Sequence, residues 1–581
     1  MHLPKKVNLN FIFFFFLSKI CHNFIEPLFS FLFYSFPIIM SSNTEGLLVD
    51  PEENKAKKKS YLGLDFSTQQ IKAIVINEDL KVLQEVSVQF DNDLPEYRTH
   101  GGANIHDDGL TVTAHPIMWV KALDMLMDKL RVAGTDFSAI VALSGSGQQH
   151  GSVYWRKGAL KTLSNLQPEK FLHEQLLSSF SISESPIWMD SSTSAYCRRL
   201  EEKLGGAQKL ADLTGSRAYD RFTGNQIAKI FQEKKEAFNS TERISLVSSF
   251  GCSLFVGDYA PIDYADGSGM NLLNIATKQW DQECLNACGE KLSELLGKAV
   301  PSETKVGKIS KYFVDRYDFH PDCEVIAFTG DNPSSLAGMT LRKGDIAVSL
   351  GTSDTFFLWL EKPNPCLDGH IFINPVSKDE YMALLCFKNG SLAREKIRDK
   401  FADKSWEIFS QLLEMTPRGN FGNIGMYYFS REITPELEGV FRFNKAGDQI
   451  EKFSSNEVEI RALVEGQIMA KRLYAEKLGL KIKDVKRVFV TGGASSNKSL
   501  LQVVADVFNA SVYTMDVPNS ASLGAAYRAK HAVSGQNFEK SIKVADFTLA
   551  VSPHNDAAKV YDPLLERYEK LEEKIKQIDA Y

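Results

Sequence analysis

Asp331 stands in the run Phe328-Thr329-Gly330-Asp331-Asn332-Pro333, where a short β-branched stretch from Glu324 gives way to small and polar residues. The Gly turn predicts a carboxylate projecting from the end of a strand, with Asn332 capping a helix that Pro333 opens. A carboxylate held in such a place can take the proton of a hydroxyl. On its own the same pattern is that of any capped helix. Further loops supply a partner chemistry. Ser67-Thr68 and Gly351-Thr352-Ser353 are turns of small residues between apolar strands, and their backbone amides can wrap phosphate oxygens without obstruction by bulky side chains. Asp65 precedes the first turn and suits a hydrated Mg²⁺, which takes one or two carboxylates and keeps several waters. Gly492 and Gly493 let backbone lie flat against a nucleotide. Neutralised phosphates, a divalent cation and a base beside an acceptor hydroxyl are the requirements of phosphoryl transfer.

The sequence holds no Gly-x-x-x-x-Gly-Lys-Ser/Thr loop, which excludes a Walker-type site. Gly145-Ser146-Gly147 begins like a dinucleotide fingerprint, but His150 stands where the third Gly belongs.

Short apolar runs alternating with amphipathic stretches must position these residues, and that alternation predicts an α/β fold. Tyr61 to Asp65 and Ile71 to Ile76 read as a strand-turn-strand, echoed by Ile346 to Leu350 and Thr355 to Leu360. The echo places Thr68 opposite Thr352 and predicts two related halves with a hinge near Leu341-Arg342-Lys343-Gly344. Trp119 to Leu130 and Leu500 to Phe508 carry helical spacing, and Tyr561 to Ile578 reads as a surface helix.

With 581 residues the chain is too long for a single core, and 24% charged and 44% hydrophobic residues are ordinary for a globular protein. The net charge of -6 is dispersed, so nothing draws nucleic acid, and the eight scattered cysteines are expected as reduced thiols of a cytoplasmic protein. Residues 1–39 are the compositional anomaly. Phe13 to Phe16 and Phe29, Phe31, Phe33 and Phe36 make them apolar, yet Lys19, His22, Glu26 and Pro27 interrupt any span and no small-residue cleavage site follows. The expectation is translated upstream sequence with the start at Met40, and no membrane attachment of the core.

Leu64-Asp65-Phe66-Ser67-Thr68, Ser144 to Gly151, Thr329-Gly330-Asp331-Asn332, Ser349 to Ser353 and Thr491-Gly492-Gly493-Ala494 occur in the order found in the FGGY carbohydrate kinases, which the chain resembles from about Tyr61 to Lys530. The resemblance implies two ribonuclease H-like domains of the actin and hexokinase type, with ATP and sugar in a cleft between them. It implies a non-core extension over 1–59, a sugar-binding domain over 60–341, a nucleotide-binding domain over 344–535 and a tail over 536–581. It further implies that Asp331 is the general base, that Gln149, His150, Arg221, Asp331 and Asn332 bind the sugar, and that Ser67, Thr68, Gly351, Thr352, Ser353, Trp406, Gly492, Gly493 and Asn497 bind the nucleotide. Asp65 is the expected Mg²⁺ ligand. Gly147 to Gly151, Thr214 to Tyr219 with Arg221 to Gly224, and Asp263 to Met270 narrow the expected acceptor to D-xylulose, phosphorylated at its terminal hydroxyl. A kinase for another ketose or polyol, or an ATP switch of the actin or chaperone type, are the alternatives. The first cradle departs from the family in carrying Ser67 where Gly is common.

Overall fold

A computed structural model describes residues 58–515, 517–544 and 547–579, so the expectations for residues 1–39 lie outside it. Two mixed sheets carry the architecture. The first comprises β1 (Ser60–Phe66), β2 (Gln70–Asn77), β3 (Val82–Gln89), β4 (Ile140–Gly147), β5 (Lys305–Lys308), β6 (Glu324–Ile326) and the short β7 (Thr329–Gly330). Its order is β5-β6-β4-β1-β2-β3, with β7 continuing along β4. The second comprises β8 (Asp345–Leu350), β9 (Asp354–Leu360), β10 (His370–Asn374), β11 (Ser377–Phe387), β12 (Arg487–Thr491), β13 (Ser511–Thr514) and β14 (Thr548–Val551), in the order β10-β11-β9-β8-β12-β13-β14.

The two sheets repeat one plan. β1 to β3 form an antiparallel meander, as do β8, β9 and β11. Parallel strands then extend each sheet, β4 and β6 beside β1 and β12 and β13 beside β8. An antiparallel edge strand, β5 or β14, closes each. Parallel neighbours need crossovers, and amphipathic helices supply them. The first sheet packs on α1 (Pro116–Val132) and α2 (Val247–Val256), where Trp119, Leu123, Leu126, Phe250 and Leu254 are buried against Leu62, Leu64 and Leu143. After β7 comes α3 (Asp331–Gly338), which begins at Asp331 with Gly330 at its N-cap. Asn332 is therefore inside the first turn rather than the cap, and Pro333 is the third helical residue, where a missing N–H is still harmless.

Helices α4 (Ser391–Phe401), α5 (Trp406–Met415), α6 (Asn456–Lys477) and α7 (Lys498–Phe508) cover the second sheet. The spacing of Leu500, Leu501, Val504, Ala505 and Phe508 turns one apolar face of α7 into that core. α8 (Ser520–Ser534) crosses back, and its Ala526, Tyr527 and Ala529 pack with Tyr61, Ile74, Ile76 and Ala142 of the first sheet, joined by Phe538 and Ile542. α9 (Ala557–Asp579) is more than a surface helix. Tyr561, Leu564, Leu565, Tyr568 and Ile575 enter the core of the second sheet, while β14 pairs with β13. The segment expected as a tail is thus structural.

Between β4 and β5 lies an insertion with its own small core, including Leu200, Leu210, Ile227, Ile244, Leu285 and Leu296. It docks on the free edge of β10, where the Ile371 N–H donates to the Gly215 carbonyl (3.0 Å) and the Ile373 N–H to Ser268 Oγ (3.2 Å). The seven cysteines among the described residues are all free.

Candidate active site

The parallel pairing of β7 with β4 sets Gly330 beside Gly147, so Asp331 emerges next to the loop that follows β4. Asp331 Oδ1 accepts the Asn332 N–H (2.8 Å), Asn332 Nδ2–H (3.0 Å) and, at 3.4 Å, the Gln149 N–H. Asn332 Nδ2 also donates to Gln149 Oε1 (2.9 Å). Three predicted residues therefore form one hydrogen-bonded unit. Burial in the protein, reinforced by the facing charge of Asp65, raises the Asp331 carboxyl to about 7 despite those donors.

Asp65, next to last in β1, accepts Ser146 Oγ–H (2.8 Å) and Ser67 Oγ–H. Burial lifts its carboxyl above the usual range. Asp65, whose hydrogen-bond donors are hydroxyls rather than cations, is a carboxylate suited to a hydrated Mg²⁺. No group of three or more metal-ligating side chains occurs among the described residues.

His150 takes a positive φ of 70° and stacks on Phe222, with ring centroids 4.4 Å apart. Its Nδ1 lies 2.8 Å from the Gly269 carbonyl. A carbonyl can only accept, so Nδ1 bears the proton and Nε2 is left as an acceptor. Burial, with the nearby Arg221 charge, pushes this imidazole down to about 3, so it stays neutral. The Arg221 guanidinium lies over Tyr219 (4.9 Å) and Phe222 (5.7 Å). Phe222 is thus the common platform of both residues. Both side-chain polar atoms of Gln148, and Nε2 of Gln149, are buried without a protein partner. Unpaired polar atoms at such a place fit a polyhydroxylated ligand.

On the second lobe a cavity of about 920 Å³ opens beside β8 and α5, and Gly351, Thr352, Trp406, Gly493 and Asn497 all line it. Gly492, at φ 87°, lies against the Leu350 carbonyl, where a β-carbon would clash, while Gly493 faces open space. Trp406 is 40% exposed, braced by Arg398 over its ring (4.5 Å). Asn497 has a structural duty as well: its Oδ1 caps α7 through the Leu500 N–H (3.0 Å), and its Nδ2 donates to Ser410 Oγ (2.9 Å). Thr352 and Ser353 are exposed at the tip of the β8–β9 turn. Below it, the fully buried Asp354 accepts both Arg394 nitrogens (2.9 and 3.0 Å) and pairs with Lys471 (3.0 Å). Ser67 and Thr68 do not line this cavity. They sit on the first lobe, where Thr68 Oγ1 accepts Trp188 Nε1–H (2.8 Å).

Sequence reasoning missed Arg394, Lys471 and His370. Arg394 stands 40 residues from Asp354 along the chain and Lys471 farther still, and nothing in local spacing marks their meeting there. His370 sits in an apolar strand, His370–Asn374, that reads only as core.

The fold is thus two repeated sheets, with the Asp331 unit on the first and the large cavity beside the second. The N-terminal domain of the FGGY family of carbohydrate kinases matches residues 181–338 and its C-terminal domain residues 346–533. The chain belongs to this family and is a carbohydrate kinase with ATP as its phosphate donor. It is similar to the xylulose kinase of Rattus norvegicus, 57% identical over 90% of this chain and 98% of that protein. Xylulose kinase 2 of Arabidopsis thaliana is 46% identical over 81% of this chain and 87% of its own. Among solved structures, the xylulose kinase from Rhodospirillum rubrum shares the fold with a TM-score of 0.74 at 14% identity, covering 90% of this chain and 100% of that one.

Proposed function

We propose that this kinase transfers the γ phosphate of ATP to the terminal hydroxyl of D-xylulose, giving D-xylulose 5-phosphate and ADP. The sugar is supported by relatives of that name at 57% identity across nearly their whole length. The observation that carries the chemistry is Asp331, a carboxyl held near 7 and surrounded by hydrogen-bond donors at the end of the first sheet.

In this reading Asp331 accepts the hydroxyl proton as the oxygen attacks, and its raised basicity suits transfer near neutral pH. Gln149 and Asn332 fix the carboxylate's direction. His150 Nε2 accepts a sugar hydroxyl and Arg221 donates to sugar oxygens. Backbone amides of the Ser67-Thr68 and Gly351-Thr352-Ser353 turns hold phosphate, and Trp406 with Gly492, Gly493 and Asn497 holds the base and ribose. Mg²⁺, held by Asp65, would supply charge neutralisation for the transferring phosphoryl group. No helix among the described residues is long and apolar enough to cross a membrane.

Steady-state kinetics with ATP and a panel of sugars test the proposal. D-xylulose should exceed glycerol and epimeric ketoses in kcat/KM by orders of magnitude, because a missing hydroxyl leaves buried polar groups unpaired. Equal efficiency with glycerol would overturn the sugar assignment and leave a polyol kinase; ATP hydrolysis unaffected by any sugar would point to the switch.

A further inference from the structure

Arg221 and His150 stand on the first lobe, yet Arg221 is held by a residue from the second. His370 opens β10, is buried, and points at the insertion that docks on that strand. Its Nδ1 lies 3.2 Å from Ser216 Oγ and its Nε2 2.5 Å from Arg221 Nη2. Tyr219 meets the ring edge-on at 4.5 Å and Phe222 lies at 5.2 Å, so the imidazole is packed between two aromatic rings.

The chemistry of the pair fixes the proton. A guanidinium has five donors and no acceptor, so Nε2 must offer its lone pair, and Nδ1 must carry the hydrogen and give it to Ser216. Burial, with the charge of Arg221, holds the ring neutral, in agreement. Arg221 makes no ion pair with any carboxylate among the described residues. A carboxylate partner would grip the planar fork at two points and cancel its charge. A neutral imidazole takes one N–H, fixes the plane of the guanidinium and leaves the remaining donors and the full charge for a ligand.

We infer that His370 is a positioning residue that reaches across from the nucleotide lobe and aims Arg221 at the sugar, so that docking of β10 against the Gly215-Ser216 turn and sugar recognition depend on each other. The inference rests on the reading of Arg221 as a sugar ligand. The junction is otherwise close-fitting. Gly215 has a φ of 83°, and a β-carbon there would collide with the Ile371 carbonyl, so the turn approaches β10 closely enough for the Ile371 N–H bond. Phe372, two residues on and on the same strand face, lies beside Gly269, whose carbonyl holds His150. One edge strand thus stands behind both sugar-side residues.

Three substitutions separate aiming from packing. In His370→Gln the side-chain amide can place an acceptor where Nε2 stood. In His370→Asn the amide reaches only the Nδ1 position and keeps the Ser216 contact. His370→Phe keeps the ring and loses both nitrogens. The expected result is a KM for D-xylulose raised about 10- to 100-fold in the Asn and Phe variants, the range for losing a hydrogen bond to a charged group. His370→Gln should recover most of that loss, and KM for ATP should stay within about twofold throughout. Combined with Arg221→Ala, His370→Asn should add nothing further. Equal sugar KM in the Asn variant and the unsubstituted enzyme, or equal defects for sugar and ATP, or an Asn variant no worse than Gln, would overturn the inference. An Arg221→Ala enzyme with unchanged sugar KM would overturn the reading of Arg221 and the inference with it. A normal Asn variant beside a crippled Arg221→Ala enzyme would overturn the inference alone. Melting temperatures of all variants keep a folding defect from being mistaken for either.

Discussion

Gly338 and Gly524 occupy equivalent places on two crossing helices, each pressed against the carbonyl of a serine on the other. A β-carbon on Gly338 would overlap the Ser520 carbonyl, and one on Gly524 the Ser334 carbonyl. Both lie four residues after the serine of their own helix, so α3 and α8 cross as a symmetric pair. Ser334 Oγ donates to the Ala521 carbonyl (2.7 Å), and Ser520 Oγ to Ser335 Oγ (3.1 Å). The two repeated sheets are joined here, and α3 also carries Asp331 at its first residue.

Gly338→Ala or Gly524→Ala should therefore destabilise the protein by about 1–3 kcal/mol, the cost of overpacking a tight core. The double substitution should cost less than the sum, because one separation of the helices relieves both collisions. Thermal melts of the three variants check it.

Asp331→Asn should cut kcat by about 10²- to 10⁴-fold with little change in KM for ATP. It should also stabilise the fold in alkaline solution. The folded carboxyl titrates near 7 against an ordinary 3.8, so its favourable contribution is complete below about 3.8 and is lost as pH rises through 7. The gain in Tm on substitution should be larger at pH 8 than at pH 4.5.

Asp65→Asn removes the charge that, after burial, raises Asp331. In ligand-free, metal-free protein the Asp331 titration, followed by carboxyl ¹³C NMR, should move to lower pH. An unmoved midpoint would show that the two carboxylates do not sense each other.

His150→Ala should lower kcat/KM for D-xylulose about 10- to 100-fold, since the Phe222 face and the Gly269 carbonyl lose their partner and a sugar hydroxyl loses its acceptor. ATP affinity, measured by nucleotide titration, should barely change.

Asp354→Ala leaves Arg394 and Lys471 buried without a counter-charge, and should cost about 3–5 kcal/mol. Because Arg394 also lines the large cavity, the variant should weaken ATP binding more than sugar binding. Denaturant melts and calorimetric titration separate the two effects.

The two repeated sheets, the glycine turns and the Asp331 turn are legible because each rests on local rules: apolar strands, small residues between them, a carboxylate after a Gly turn. Trp406, Gly493 and Asn497 are grouped in the sequence only by the family resemblance, and they line one cavity. What sequence could not supply depends on distant chain segments meeting. Asn332 was expected as a cap because its type suits one, yet Gly330 has the extended backbone of a cap and Asn332's amide is drawn to Gln149. α9 was expected on the surface because its charges dominate its pattern, while the aromatic face of Tyr561 and Tyr568 decides its position. His370 is visible only once β10 is seen at a sheet edge.

The return of α8 to the first sheet governs how the chain comes into being. Arg528 is buried against the carbonyls of Ala327 (2.5 Å), Ser302 (2.9 Å) and Gly145 (3.4 Å), and Tyr527, Phe538 and Ile542 cover Tyr61 and Ile76. Every strand of that sheet has left the ribosome by residue 330, but its second face waits for residues near 540. At about 5–20 residues per second this leaves apolar strands uncovered for roughly 10–40 s during each round of synthesis. The earliest part of the protein to be made is among the last to be finished, and nascent chains stalled between the two sheets would be clients for a chaperone.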